Sequence, residues 1–537
     1  MSPEDFTMRI APEIRIARME QREDISSMPK PKGRRHSRKL KLDERIISWG
    51  IVSVIGLICV YVLGWWVSYE PAASLVEFAP GMDGKPAEGT SIEEEVITIG
   101  ESFQRFEGVA GDLPGEWARF RGSDADNISK EAVPLADQWG LQGPEILWAV
   151  DLGEGHAAPA VLGGRVYILD YDEEKKSDAL RCFSLEDGRE IWRRSYGVHV
   201  KRNHGMSRTI PALTEKYVVT IGPRCQVMCA DAVTGALLWG IDLEKEYGTT
   251  VPLWYTGQCP LIDDSIAVIA PCSERALMIG VDCETGEVAW DTPGRNGWDM
   301  SHSSVIPTTL LGKKMYVYCA IGGMVGVSAE EEDRGAVLWE TEAWSPAVVV
   351  PSPVVLGDGS MGDAGMEAVS MDAAGMEAAG IFVTAGYGAG SMMLQVRKEN
   401  ETFIVEPLYE HRPNEGLACE QQTPLLYRGH LFGIMPKDGG ELRNEFVCAH
   451  PDGRIVWSSG KTNRFGLGPF LVADEKFFIL SDDGVLNMTK ATPERFIPLG
   501  QAKILDGRDS WGPMAVAGGR MLLRDSRKMV CIDVAAH

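Results

Sequence analysis

Short apolar runs separated by glycine, asparagine and aspartate turns recur from residue 146 to the end of the chain. Residues 166–169 and 315–318 are typical, because they are rich in β-branched and aromatic side chains. Runs of this length and composition, bounded by turn residues, predict β-strands rather than helices. The sequence therefore predicts an all-β domain.

A glycine turn followed four residues later by a tryptophan recurs five times among these strands. The pairs are Gly188 with Trp192, Gly235 with Trp239, Gly286 with Trp290, Gly335 with Trp339, and Gly453 with Trp457. From Trp192 to Trp339 the tryptophans are 47, 51 and 49 residues apart, which is the period of a four-stranded propeller blade. The flat indole is expected to dock one blade on the next.

Each repeat opens with a proline near the start of an apolar run, and eight such openings occur. Their prolines are Pro159, Pro211, Pro260, Pro307, Pro353, Pro424, Pro469 and Pro513. The last repeat ends at residues 531–534 with no turn or tryptophan after it, whereas residues 146–150, which include Trp148, precede the first opening. Pairing of these segments would close a ring of sheets and remove an exposed edge. We predict an eight-bladed β-propeller over residues 116–537, with Trp148 as a sixth docking residue.

Two features interrupt the repeat. The expected tryptophan is missing near Leu408 and near Leu499, so those two blades are expected to be degenerate. An insertion over residues 358–380 is built largely from Gly, Ala, Met, Asp, Glu and Ser. Its acidic spacing matches no calcium loop, so we interpret it as a solvated surface loop between the first two strands of the fifth blade.

The chain before the propeller has a different character. Residues 46–69 contain no charged side chain and are long enough to cross a bilayer as one helix. A basic cluster precedes them, so the positive-inside rule predicts a cytoplasmic tail over residues 1–45. Residues 70–115 are interpreted as a flexible linker. The expected location is a bacterial inner membrane, crossed once, with the propeller in the periplasm or outside; a cleaved signal peptide is the alternative.

The charge distribution restricts the partners of the propeller. The first 45 residues hold 12 Lys and Arg against 8 Asp and Glu, which leaves 41 basic and 69 acidic side chains, a net charge of −28, for the rest. Such a surface repels phosphate backbones, so nucleic acid is not expected as a partner.

The chain contains eleven cysteines, of which Cys59 lies in the apolar stretch. An oxidising compartment permits disulfides among the others. Four of them instead stand late in short apolar runs, which favours buried free thiols: Cys182, Cys229, Cys448 and Cys531. The disulfide pairs left open are Cys225 with Cys229 and Cys272 with Cys283.

The turn over residues 230–235, Ala-Asp-Ala-Val-Thr-Gly, resembles the repeat of the PQQ-like β-propeller family. Residues 117–122, Trp-Ala-Arg-Phe-Arg-Gly, look like the lead-in found before many bacterial propellers of this family. The resemblance covers residues 116–537. It implies the fold but not an activity, because quinoprotein dehydrogenases share this architecture with the non-enzymatic lipoprotein that helps to assemble outer-membrane proteins.

Catalytic motifs are missing from the sequence. In the dehydrogenases, the resemblance implies a disulfide between adjacent cysteines and a calcium ion near a catalytic aspartate, but no two cysteines are adjacent here. There is no Cys-x-x-Cys-His run, phosphate loop, Gly-x-Ser-x-Gly elbow or histidine pair with metal spacing. We therefore assign no catalytic residue, metal ligand or cofactor, and keep pyrroloquinoline quinone with calcium only as an alternative.

The segments just before the eight openings are expected to converge on one rim of the propeller channel, because the innermost strands all start there. They are rich in aromatic, imidazole, guanidinium and amide groups, which suit a small ligand, a sugar or a peptide. The candidate rim residues are His204, Arg208, Trp254, His302 and Gln421. The competing interpretation is that these groups only satisfy loop backbones and stack between blades.

Two functions are compatible with the sequence. The first is a membrane-anchored propeller that acts as a binding or scaffolding module for envelope proteins or for polysaccharide or peptide ligands. The second is a quinone-dependent oxidoreductase, and the missing motifs favour the first.

Overall fold

The computed structural model describes residues 49, 52–63, 97–140, 142–203, 205–357, 378–507 and 509–537. The chain divides into two compact units, Met1–Pro80 and Gly81–His537. In the first unit, residues 52–63 are helical and exposed. Within the described residues, no helix combines the length and the apolar content needed to span a bilayer. Most of the predicted membrane helix over 46–69, and the predicted tail over 1–45, lie outside the described residues.

The second unit contains eight antiparallel β-sheets, which confirms the predicted eight-bladed propeller. The strands of blades 1 to 4 are Ala160–Leu162, Arg165–Asp172, Ser177–Ser184 and Glu190–Gly197; Ala212–Leu213, Tyr217–Ile221, Gln226–Asp231 and Leu237–Asp242; Leu261–Asp263, Ile266–Ile269, Ala276–Asp282 and Val288–Pro293; and Ile306–Leu310, Lys313–Ala320, Gly323–Ser328 and Val337–Thr341.

The remaining blades continue the same order along the chain. The strands of blades 5 to 8 are Val354–Leu356, Ala378–Ala385, Gly390–Glu399 and Thr402–His411; Leu425–Tyr427, His430–Ile434, Phe446–Ala449 and Ile455–Ser458; Phe470–Ala473, Lys476–Leu480, Val485–Lys490 and Pro498–Lys503; and Ala515–Ala517, Arg520–Arg524, Lys528–Asp533 and Ile146–Asp151. Two short helical segments, Leu243–Tyr247 and the 3-10 turn Gly440–Leu442, lie in connecting loops.

The chain ends close the ring, as the sequence predicts. Ile146–Asp151 pairs antiparallel with Lys528–Asp533, and Trp148 stands opposite Cys531. The early strand therefore supplies the outermost strand of blade 8, and it covers an edge that would otherwise be free to pair with another chain.

The middle strands of the blades are buried along nearly their whole length. In Ala276–Asp282 only the last residue is not fully buried, and in Tyr217–Ile221 every residue is buried. Neighbouring blades cover both faces of each sheet, so these strands consist of continuous apolar runs rather than alternating ones. This packing explains why apolar runs, rather than period-two alternation, mark the blades in the sequence.

The turns before Trp239 and Trp290 are each built by an aspartate. The Asp231 carboxylate accepts hydrogen bonds from the backbone N–H of Thr234 at 2.7 Å and from its hydroxyl at 2.7 Å. Asp282 does the same for Thr285. Gly235 then takes a positive φ of 71°, which glycine adopts without strain. The Asp-x-x-Thr-Gly pattern is thus a local turn, independent of the rest of the fold.

Four of the five turn glycines lie against the tryptophan of the preceding blade. A Cβ atom added at Gly235 would lie 2.7 Å from Cδ2 of Trp192. The same relation joins Trp148 to Gly188, Trp239 to Gly286 and Trp290 to Gly335. Trp339 instead donates from Nε1 to the Met315 sulfur at 3.3 Å. Trp457 packs against Phe496 of blade 7 at 6.0 Å between ring centroids.

The two blades without a tryptophan were predicted to be degenerate. In the structure, other aromatic rings occupy the place of the docking tryptophan. Tyr409, one residue after Leu408, donates from its hydroxyl to the Pro451 carbonyl at 2.6 Å. The rings of Tyr409 and His411 both lie against Gly453. In blade 7 the ring is that of Trp139, which comes from the segment before the first blade. Its ring centroid lies 6.3 Å from that of Phe478.

Part of the predicted linker over 70–115 belongs to the propeller unit. Ser102–Arg105 pairs with Glu190–Gly197 and adds a fifth strand to blade 1. Its one large apolar side chain, Phe103, lies under the guanidinium of Arg194 at 4.7 Å. Because this strand has only one large apolar side chain, its composition is that of a linker. This explains why the sequence predicted a linker where the structure has a strand. Residues 70–96 lie outside the described residues.

The insertion in blade 5 lies where the sequence placed it, between the first two strands. Residues 358–377 lie outside the described residues, whereas Ala378–Ala385 is a strand that includes the last three residues of the predicted segment 358–380. Leu356 pairs with Gly380 across the insertion.

The ten cysteines of the propeller are buried and free, as the sequence favours. Neither of the two disulfides left open, Cys225 with Cys229 or Cys272 with Cys283, is formed. The thiol of Cys229 instead donates to the backbone carbonyl of Cys283 in the next blade at 3.5 Å. The Cys283 thiol and burial together raise the pKa of Cys229, so this thiol stays protonated.

Candidate functional site

The segments that precede the first strands of the blades converge on one cavity in the channel. The cavity has a volume of about 140 Å³. Four of the five rim residues proposed from the sequence line it: Arg208, Trp254, His302 and Gln421. The fifth, His204, lies outside the described residues. Side chains from loops more than 200 residues apart therefore meet at this cavity, as the starting points of the first strands predict.

The lead-in motif forms the other end of the cavity. Trp117 pairs with Val161 of blade 1 through hydrogen bonds of 2.8 and 2.9 Å, and Asn127 accepts from Val472 of blade 7 at 3.0 Å. The chain between these anchors carries Phe120 and Arg121 into the cavity wall. In the sequence this motif stood out only through the resemblance to PQQ-like propellers, and nothing in its residues indicated a place in the site.

Three stacked rings border the mouth of the cavity. Trp254 lies between His302 and Tyr387, with ring centroids 6.2 and 5.7 Å away and interplanar angles of 24°. Trp254 and Tyr255 both have positive φ angles, 64° and 73°. Two consecutive bulky residues in this conformation are strained, which is a feature of binding sites. Tyr387 was missed from the sequence, because it comes from a hairpin later in blade 5.

A second stacked pair lies elsewhere on the rim. His156, before blade 1, stacks on Trp511, before blade 8, at 5.0 Å and 25°. Gln422 donates to the carbonyls of Leu467 at 3.3 Å and Trp511 at 3.1 Å, so it ties three pre-blade segments together. These contacts fix the rim before any ligand arrives.

Arg208 and His302 set the electrostatics of the mouth. Nη2 of Arg208 donates to the carbonyls of Asn203 at 2.9 Å and Gly205 at 3.2 Å, which holds the guanidinium in place. Burial lowers the pKa of Arg208 to about 10, so it remains charged at neutral pH. Burial, and then the charge of Arg208, lower the pKa of His302 to about 4. His302 is therefore a neutral imidazole at neutral pH.

Not every polar residue near the openings belongs to the site. Gln258 is buried, and its amide donates to the Ala270 carbonyl at 3.0 Å and the Tyr318 hydroxyl at 3.1 Å. Its role is structural. Gln421, in contrast, forms no hydrogen bond through its amide with any residue that the structure describes, so the amide can bind a ligand.

The cavity does not fit a calcium-bound quinone. Calcium takes oxygen ligands, mostly carboxylates, and the described lining includes no Asp or Glu. No group of three or more His, Cys, Asp or Glu side chains forms a metal cluster within the described chain. The cysteines are free rather than joined in an adjacent pair. The arrangement offers ring stacking, amide hydrogen bonds and positive charge, which are means of binding.

Comparison with known proteins agrees with this class of fold. Residues 175–358 match the family described as outer membrane protein assembly factor BamB, which confirms the resemblance to PQQ-like propellers. The match covers less than half of the chain. No curated protein sequence matches.

Solved structures share the architecture. The quinohemoprotein alcohol dehydrogenase from Comamonas testosteroni is 12% identical with a TM-score of 0.52, over 79% of this chain and 81% of that one. A europium-containing methanol dehydrogenase is 12% identical with a TM-score of 0.52, over 78% and 90%. BamB from Moraxella catarrhalis is 11% identical with a TM-score of 0.45, over 72% and 99%. At these identities the likeness to the two dehydrogenases shows the fold alone.

Proposed function

We propose that this protein is an extracytoplasmic binding module whose propeller seats a group of a partner protein or envelope polymer at the channel mouth. The observation that carries the proposal is the convergence of Arg208, Trp254, His302 and Gln421 on one cavity that offers binding groups but no carboxylate. The match to a family described as an outer membrane protein assembly factor supports a role in binding proteins.

We also propose that the chain is anchored in a bacterial inner membrane by residues 46–69, with the N-terminus in the cytoplasm. The support is the uncharged sequence of that stretch and the basic cluster before it. An anchored propeller acts at the membrane surface, where its acidic exterior favours basic partners and does not suit nucleic acid.

The oxidoreductase alternative has no observation in its favour beyond the fold. Two dehydrogenases share the architecture, but likeness at 12% identity does not carry a cofactor or an activity to this chain. The described lining lacks the acidic groups that the alternative requires.

The proposed function predicts that rim substitutions remove partners. The full-length R208A/H302A double variant, purified from solubilised membranes of the native cell, should recover its partners with about tenfold lower yield, because one lost hot-spot contact costs roughly 1–2 kcal/mol. Quantitative mass spectrometry of the co-purified material measures this.

The matched control changes the same residue types far from the rim. Arg189 and His537 have exposed side chains, so the R189A/H537A variant should keep the partners of the parent protein. Equal losses in both variants, or none in either, would contradict a binding role for the channel mouth.

A further inference from the structure

The cavity is positively charged, unlike the rest of the propeller. Arg121 and Arg208 both line it, and no Asp or Glu occurs in the described lining. The chain after residue 45 nevertheless carries a net charge of −28. The absence of acidic side chains from the cavity of so acidic a domain indicates a ligand with negative charge.

The charge of Arg121 is only partly offset inside the protein: the Asp126 carboxylate acts on it, but no carboxylate oxygen bonds to it within the described chain. Its side chain is 6% exposed, and Nη2 donates only to the backbone carbonyls of Pro424 at 3.0 Å and Asp126 at 3.3 Å. Nε has no hydrogen-bond partner, and Arg121 forms no salt bridge with any residue that the structure describes. Burial lowers its pKa to about 10, so it stays charged at neutral pH. A buried charge in this state is costly, and a bound anion would offset that cost.

A third guanidinium lies behind the wall of the cavity. Arg524 is 1% exposed and donates to four backbone carbonyls, including that of Ala157 at 3.0 Å, next to His156 on the rim. It forms no salt bridge within the described chain. The charges of Asp170 and Asp525 act on it and offset part of its own charge, so Arg524 fixes the wall of the cavity mainly through its hydrogen bonds.

The remaining walls are apolar and the space is small. Phe120, Ile210, Val350, Phe470 and Met514 are among the lining residues. Pockets for drug-sized ligands start at about 300 Å³, about twice the 140 Å³ found here. The cavity therefore suits one small group, with an apolar body against these walls and a charged end at the guanidinium groups.

We propose, building on the binding function above, that the cavity binds a carboxylate carried on a small apolar body. Arg121 and Arg208 together attract the carboxylate with planar forks of the matching shape, and the Gln421 amide donates a hydrogen bond to it. The apolar body packs against Ile210 and the edge of the Trp254 indole, which line the cavity. Either a free small acid or the C-terminus of a partner chain supplies this chemistry.

The test uses pairs of probes that differ in charge. Benzoate and benzamide, and N-acetylphenylalanine and its amide, are titrated into the full-length protein by calorimetry. Benzoate should bind at one site per chain and benzamide about tenfold or more weaker, because hydrogen bonds between charged groups are the stronger ones. If N-acetylphenylalanine binds as well as benzoate, the source is a chain terminus; if only benzoate binds, it is a free acid.

Substitutions of the two arginines test whether their positive charges bind the carboxylate. R208M should lower the affinity for benzoate by about tenfold or more. R189M makes an equal charge change at an exposed residue and should leave the affinity unchanged. R121M should act like R208M; if it fails to fold, R208M alone decides. Equal benzoate binding in R208M and R189M overturns the proposal. Displacement of benzoate by inorganic phosphate at equal concentration also overturns it, because the site would then bind any anion.

The outcomes separate this proposal from the proposed function. If benzamide binds as tightly as benzoate and W254A abolishes both, the carboxylate proposal fails while the cavity remains a binding site. If neither probe binds, the carboxylate proposal also fails, and the co-purification with R208A/H302A decides the proposed function independently.

Discussion

Replacing Trp192 by alanine is expected to lower the free energy of unfolding by about 4 kcal/mol, within the range for buried tryptophans. Trp192 is 1% exposed, lies against Gly235 of the next blade and meets the ring of Tyr167 edge-on at 5.9 Å. Its removal leaves a cavity at the junction of two blades, which packed strands cannot fill. Urea denaturation of the full-length protein, followed by near-ultraviolet circular dichroism, measures the loss.

A second substitution tests whether blade docking is the cause. G235A introduces a Cβ atom 2.7 Å from the Trp192 ring, at a residue with a φ of 71°. In the parent protein it should cost about 3 kcal/mol, but in W192A about 1 kcal/mol less, because the clash with Trp192 is removed. The positive φ and the contact of the new Cβ atom with Phe103 Cε2 at 2.8 Å remain in both backgrounds. The control W254A changes a tryptophan at the channel mouth and should cost about 1 kcal/mol or less. Additive losses in the double variant would contradict docking at this contact.

The blades were predictable because their signals are local. Asp231, Thr234 and Gly235 form a complete turn within a few residues, and Asp282, Thr285 and Gly286 repeat it in the next blade. The ring closure was predictable because two incomplete repeats, at the two ends of the propeller sequence, complement each other. Such features are determined by neighbours along the chain, which a single sequence displays.

What the sequence did not reveal depends on distant contacts. Tyr387 joins the rim only because a hairpin of blade 5 lies beside Trp254, and no spacing in the chain encodes that contact. Tyr409 takes over a docking position because its ring, rather than its place in the motif, meets Gly453. Arg121 was part of a recognised motif, but only the fold places it in the cavity.

The rim lies beside a buried acid that gives the fold a pH dependence. Asp178 is 1% exposed and accepts hydrogen bonds from the Tyr196 hydroxyl at 3.0 Å and the Ser207 hydroxyl at 3.2 Å. Ser207 directly precedes Arg208 of the rim. Burial raises the pKa of Asp178 to about 7, against 3.8 for the exposed group. The carboxyl is therefore protonated in the folded chain at pH values where the unfolded chain has already lost the proton.

The consequence is a stability that decreases as the pH rises. Between the unfolded and folded pKa values the folded state binds more protons, so the contribution of Asp178 is complete below about pH 4 and is lost by about pH 8. Between pH 5 and pH 8 the loss should be roughly 2–3 kcal/mol, from about 1.4 kcal/mol per pKa unit. Denaturant titrations at the two pH values measure it.

The D178N variant separates the contribution of Asp178 from that of every other ionisable group, because asparagine keeps the shape of the side chain and does not ionise. The difference in unfolding free energy between pH 5 and pH 8 should therefore shrink by roughly 2–3 kcal/mol relative to the parent protein. D172N is the matched control in the same blade: the hydrogen bond and charge of Lys175 lower the pKa of Asp172, so its carboxylate is ionised throughout this interval. A pH dependence left unchanged by D178N would mean that Asp178 is already ionised in the folded protein at pH 5, and that its pair of hydroxyl donors outweighs its burial.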